Sequence, residues 1–268
     1  MKFQRFLFIF LLGILLLSFQ SIYLYLTPHY TPKMAVNLMP ILEKPQLTPD
    51  DYALLYAQTG LSASLIDELR LKPNAISEII HYQDDFFRSI KVTNRYLPPF
   101  TFCQLTVGDK KEPEKAFKLG PYHNGDILMT NSSYSLAWRH GHMGLIVDEI
   151  HGYSLEALSP GRTSCLQNIH KWEYYPTFKM LRLKDASWHQ INTICEYALE
   201  HLTGLPYNIF STKKQWPPTS THCALLIWQA FMPFGYDLAP QSLVTPNAIV
   251  SSPYLELLQI YGFDPQKD

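Results

Sequence analysis

At Leu97 the chain changes texture, and that change limits what it can become. Residues 48 to about 90 carry helical spacing. After Leu97, "GDILMT", "HMGLIVDEI", "YSLEAL" and "FKMLRL" are short apolar or alternating runs broken by Gly, Asn and Pro, the pattern of strands. Two helical stretches follow. "WHQINTICEYALEHLTG" stops at Gly204, and "CALLIWQAF" is ended by Pro233 and Gly235. "VTPNAIVSSPYLELLQIYG" closes the chain with turns and a short helix. Helices first, then grouped strands, then helices again describe an α+β chain. Its 268 residues, 47% hydrophobic, suffice for one sizeable core and a small additional unit.

The helical lead-in has clear end signals. Thr48 is a candidate N-cap, Pro49 suits the first helical position, and Asp50 and Asp51 favour the positive helix end. Leu54, Leu55 and Ala57 begin an apolar face that Gly60 stops. Two further helical patterns follow in "SASLIDELRLKPNAISEIIHYQDDFFRSI", the second gathering Ile76, Ile79, Ile80 and Phe87 near one face. Ahead of this unit, residues 27–47 hold four prolines and read as a spacer. Ahead of the spacer, Lys2 and Arg5 precede an apolar run from Phe6 to about Leu26. A bilayer core needs roughly 20 such residues, so residues 1–26 read as a membrane anchor, with a cleaved signal as the rival. Basic residues before the run place the remainder outside the cytoplasm under both readings. The expected organisation is therefore residues 1–26 as anchor or signal, 27–47 as linker, 48–97 as helical unit and 98–268 as the working domain.

A net charge of −1 leaves no basic stripe to displace phosphate counterions, which excludes a nucleic-acid partner. The four cysteines, Cys103, Cys165, Cys195 and Cys223, form no Cys-x-x-Cys pair, and their spacing is that of neither a zinc site nor a disulfide scaffold. No metal and no cofactor are expected.

Cys223 opens "CALLIWQAF". If the helix begins near Thr221 or His222, the thiol sits in the first turn, where unpaired N–H groups and the helix dipole stabilise an anion. On this stretch alone, a nucleophile and a buried core thiol are equally compatible. A nucleophile needs a base. His142, at the start of the strand-like "HMGLIVDEI", is the best candidate, and Gly141 and Gly144 let other backbone approach closely. His140, two residues earlier, would share its face on an extended strand. The His-x-His pair lacks a carboxylate or cysteine at ligand spacing. His222 adjoins Cys223, but adjacent helical side chains diverge. A hairpin about "EIHG" would return Glu156 near His142, where it could orient the imidazole. Tyr207, in "TGLPYN", and the polar loop before Cys223 could line a substrate cleft.

These residues, in this order, resemble a known family. "NGDILMTNSSYSLAWRHGHMGLIVDEIHGYSLEALSPG", then "GLPYNIF" and "STHCALLIWQAF", then "LVTPNAIVSSPYL", are similar to the circularly permuted NlpC-type papain-like hydrolases of the YiiX-like group, over about residues 118 to 255. The resemblance implies a permuted papain-like fold, a small antiparallel sheet or barrel packed on helices, with the His strand before the Cys helix. It implies Cys223 as nucleophile, His142 as base, Glu156 in the third polar position, and a Pro-Tyr motif at Tyr207. Unpermuted relatives carry Asp-Cys-Ser where this chain has Thr221-His222-Cys223-Ala224. The activity expected is a cysteine amidase or peptidase acting outside the cytoplasm on cell-wall (peptidoglycan) peptides or related amides. The alternatives are a lipid-directed acyltransferase or amidase/esterase of the same permuted fold, and a non-catalytic wall-binding domain.

Overall fold

The computed structural model describes residues 5, 8–15, 29–135 and 138–267. Residues 8–15 are helical and largely exposed. No helix among the described residues is long and apolar enough to cross a membrane. Most of the run from Phe6 to Leu26 lies outside those residues, so the membrane helix expected there is not shown.

The chain is a mixed α+β structure of antiparallel sheets packed on helices. After the helical residues 8–15 come α1 (Met39–Leu42), α2 (Pro49–Thr59), α3 (Ala63–Arg70) and α4 (Ala75–Phe87). The start signals at α2 are met. Thr48 Oγ1 accepts from Asp51 N–H while Asp51 reciprocates to the Thr48 backbone, and Gly60 ends the helix in the left-handed conformation. The proline-rich stretch before α2 contains α1 and buries Leu38, Leu42 and Leu47.

A six-stranded antiparallel sheet has the order β7-β6-β5-β3-β8-β9, from β3 (Ile127–Thr130), β5 (His142–Asp148), β6 (Tyr153–Glu156), β7 (Cys165–Asn168), β8 (Phe178–Leu183) and β9 (Leu255–Tyr261). Successive side chains face opposite sides. Ile127, Met129, Met143, Leu145, Leu155 and Leu181 meet two helices, α5 (Trp188–Leu202) and α6 (Cys223–Phe231). Leu128, Ile146, Phe178, Met180, Leu258 and Ile260 share a second core with α2, α3 and α4. Covered on both faces, β3 and the middle of β5 are buried throughout, which explains why "ILMT" and "MGLIV" do not alternate. The β9 edge is tied to the turn after α2: Ser62 N–H donates to the Leu258 carbonyl and Ile260 N–H to the Gly60 carbonyl.

Every residue of α6 is buried. A helix apolar on all sides belongs inside a fold, and α6 lies directly against β5. A smaller sheet, β1-β2-β4, consists of β1 (Lys91–Leu97), β2 (Thr101–Val107) and β4 (Ser133–Ser135).

The strands expected at 125–130, 142–150, 153–158 and 178–183 are present. The chain's end differs: only α7 (Pro246–Val250) is helical there, and "LELLQIY" is β9 rather than part of the closing turns and helix. Pairing along β8, from Leu183↔Leu255 to Phe178↔Tyr261, sets that outcome.

Candidate active site

α6 begins at Cys223 because His222 caps it. His222 is extended (φ −136°, ψ 171°), and its Nδ1 accepts from Leu225 N–H at 3.3 Å. The Leu226 N–H takes the His222 carbonyl. The N–H groups of Cys223 and Ala224, at the first two helical positions, have no intrahelical acceptor and are free to serve a bound group.

His142 is the first residue of β5 and is buried beside α6. Gly141 immediately before it has φ +72°, and a Cβ there would lie 2.7 Å from the Thr130 carbonyl oxygen. This left-handed turn ends the strand ahead of His142, so His140 lies outside β5 rather than along an extended strand with His142. His140 reaches the cleft from the preceding loop, with Nε2 3.0 Å from Ser135 Oγ.

The hairpin about Glu149–Gly152 pairs Leu145 with Leu155 and so returns Glu156 beside Gly144. A Cβ at Gly144 would come within 2.9 Å of Glu156 Cγ and 3.0 Å of Trp172 Cζ2, so the absent side chain makes the seat for both. His142 Nε2 donates to Glu156 Oε2 at 2.6 Å. With Nε2 so held, Nδ1 is the ring nitrogen left for Cys223. Lys171 Nζ donates to the same Oε2 at 2.6 Å, while Trp172 Nε1 (3.1 Å) and Ser154 Oγ (2.7 Å) donate to Oε1. Trp172 also lies nearly parallel to the imidazole, 5.5 Å between centroids and 8° between planes.

Burial opposes a charge on each of these groups, but their neighbours outweigh it. Glu156 is held down at about 2 by the Lys171 ammonium and the His142 hydrogen bond. His142 is raised to about 9 by hydrogen bonds to Cys223 and Glu156. The Cys223 thiol falls to about 5 through hydrogen bonds from His142 and His222 and the positive charge of His142. Thiolate, imidazolium, carboxylate and ammonium leave the buried group close to neutral, the condition under which interior ions persist. Burial instead pushes Cys103 up to about 11 and Cys195 to about 12. All four thiols are free.

Cys223, His142 and Tyr207 line one cleft of about 560 Å3. Tyr207 is fixed beside the α6 entrance by its bridge to Thr221, and burial followed by the Cys223 charge raises its hydroxyl above the usual range. The four residues singled out in the sequence therefore meet in space. Lys171, Trp172 and Ser154 were not singled out. Lys171 and Trp172 sit in a 3-10 turn, Ile169–Tyr174, whose sequence gives no sign that it folds under the hairpin. His222, set aside as a base, is the helix cap. Among the described residues, no group of three or more His, Cys, Asp or Glu is placed to hold a metal ion.

No protein-family model matches the chain, and no curated protein does. Among solved structures it is similar to the metalloprotein YiiX from Escherichia coli O157:H7, with a TM-score of 0.42 and 15% identity, over 50% of this chain and 95% of that one.

Proposed function

We propose that this protein is a cysteine hydrolase of permuted papain-like (NlpC) type, cleaving an amide in a cell-wall peptide or related compound outside the cytoplasm. One observation carries the reading: a cleft thiol at a helix start faces a buried imidazole whose far nitrogen is held by an ionised carboxylate. The chain order His142, Glu156, Cys223 fits the permuted arrangement. The Cys223 thiolate attacks the carbonyl carbon. The N–H groups of Cys223 and Ala224 meet the developing oxyanion, with the raised, still protonated Tyr207 hydroxyl nearby. His142 then gives its Nδ1 proton to the leaving amine, and a water deprotonated by the same nitrogen hydrolyses the thioacyl bond.

A second reading, a lipid-directed acyltransferase or amidase/esterase of the same fold, is favoured by the lining of Leu97, Pro98, Leu105, Leu158 and Pro160, which suits an acyl chain. Incubation with purified peptidoglycan and, separately, with membrane lipids separates the two. Release of peptides supports the first reading and release of fatty acid the second. Mass spectrometry should find an acyl adduct on Cys223, and Cys223→Ala should abolish both adduct and turnover. Unchanged turnover in that variant would sink the site.

A further inference from the structure

Apart from the Cys223 thiol, the charged side chains that line the cleft are basic. The chain as a whole is balanced, with 22 Lys and Arg against 23 Asp and Glu. Yet the cleft is lined by Arg95, Arg162 and Lys171 and by no carboxylate. Lys171 is committed to Glu156. Arg95 and Arg162 are exposed, and neither has an acidic partner among the described residues.

Their positions follow from the fold. Arg95 stands opposite Cys103 and Leu97 opposite Thr101 in the β1–β2 register, so these four share the face of the small sheet that forms one cleft wall. The charge on Arg95 reaches inward, where the Cys103 thiol and the Tyr175 hydroxyl both feel it. Arg162 comes from a different wall, the loop after β6. Its carbonyl accepts from Tyr207 N–H, which fixes that loop to the segment leading into Cys223. Exposed cations on two walls of a cleft concentrate counter-ions, and a guanidinium pairs best with a planar oxyanion.

We infer that the substrate carries a carboxylate, seated against Arg95 and Arg162 while its scissile carbonyl lies at Cys223. The substrate class is thus narrowed to acidic amides or peptides. This rests on Cys223 being the nucleophile, and the test keeps the two apart.

The test is alkylation of the full chain at pH 7 and low salt by two reagents of similar size, anionic iodoacetate and neutral iodoacetamide. In each, Sγ attacks the methylene carbon, the C–S bond forms, and iodide leaves with the bonding pair. Peptide mass spectrometry reads the rate at Cys223. The iodoacetate-to-iodoacetamide ratio should exceed that of the same cysteine in the denatured chain. A unit charge on the wall of a partly wet cleft is enough to change it by about threefold. The ratio should therefore fall about threefold or more in Arg95→Gln/Arg162→Gln, stay high in Arg95→Lys/Arg162→Lys, and fall with added salt in the wild type. An unchanged ratio in the Gln double variant, with Cys223 still the fastest thiol toward iodoacetamide, overturns the carboxylate site and leaves the nucleophile standing. If iodoacetamide does not favour Cys223 over Cys165, the nucleophile falls and this inference with it.

Discussion

His142 and Lys171 meet on a single atom: each places a nitrogen 2.6 Å from Oε2 of Glu156. The carboxylate therefore serves two cations, and the ionisation of the imidazole depends on a lysine it does not touch. Removing the carboxylate charge should be the more damaging change. Glu156→Gln leaves His142 and Lys171 without their anion, so the imidazole should titrate well below the value of about 9 that it has beside Glu156. The rate of Cys223 alkylation at pH 6 should fall on the order of 10²-fold. NMR titration of His142 alongside the alkylation rate checks both, and an unshifted imidazole would show that Glu156 does not hold it.

Lys171 acts with the opposite sign. Lys171→Met removes a positive charge from the buried cluster, which disfavours every anion in it. The acid limb of Cys223 reactivity should move upward from about 5, while Lys171→Arg keeps the charge and holds the limb in place. Profiles of rate against pH for the two variants, measured side by side, decide it. Equal profiles for Met and Arg would reduce Lys171 to packing.

His222 has two separable tasks, capping α6 and stabilising the thiolate. His222→Ser keeps a good N-cap, so thermal stability should stay near that of the wild type while the Cys223 limb rises. His222→Ala loses the cap as well and should cost about 1 kcal/mol more. Calorimetry combined with the pH profile tells the tasks apart. A serine variant with an unmoved limb would leave only the cap.

Gly144 is the seat of Glu156 and Trp172. Gly144→Ala places a methyl group where the carboxylate arm and the indole now lie, so one of them must shift. Overpacking of this kind costs about 1–3 kcal/mol. Denaturant unfolding should show that loss together with reduced Cys223 reactivity at pH 6. A stable variant of full reactivity would mean the hairpin yields without disturbing Glu156.

The site was more legible in the sequence than the fold around it. Cys223, His142 and Glu156 stand at element ends marked by local signals: a polar stretch before an apolar run, a glycine pair, and a turn of hairpin length. Tyr207 follows from the Gly204–Pro206 break before the same helix. What could not be read rests on long-range pairing. "LELLQIY" has no strand signature of its own until β8 and the turn after α2 hold its two sides. β1 and β2 are mostly polar or half-exposed, so no period marks them. Lys171 and Trp172 look like surface residues in sequence, and only the path of the chain under β6 brings them to Glu156. His140 shows the converse: two-residue spacing placed it on one strand with His142, whereas the left-handed Gly141 ends the strand between them and His140 lines the same cleft from the loop.

The proposed mechanism requires Cys223 to be a thiolate held beside a protonated His142 at neutral pH. The most direct measurement is the rate of Cys223 alkylation by iodoacetamide from pH 4 to 10, read by peptide mass spectrometry with Cys165 as internal comparison. Reactivity at Cys223 should rise through about pH 5 and already be high at pH 6. A profile that stays flat until the free-thiol range, about pH 8.5, would contradict it.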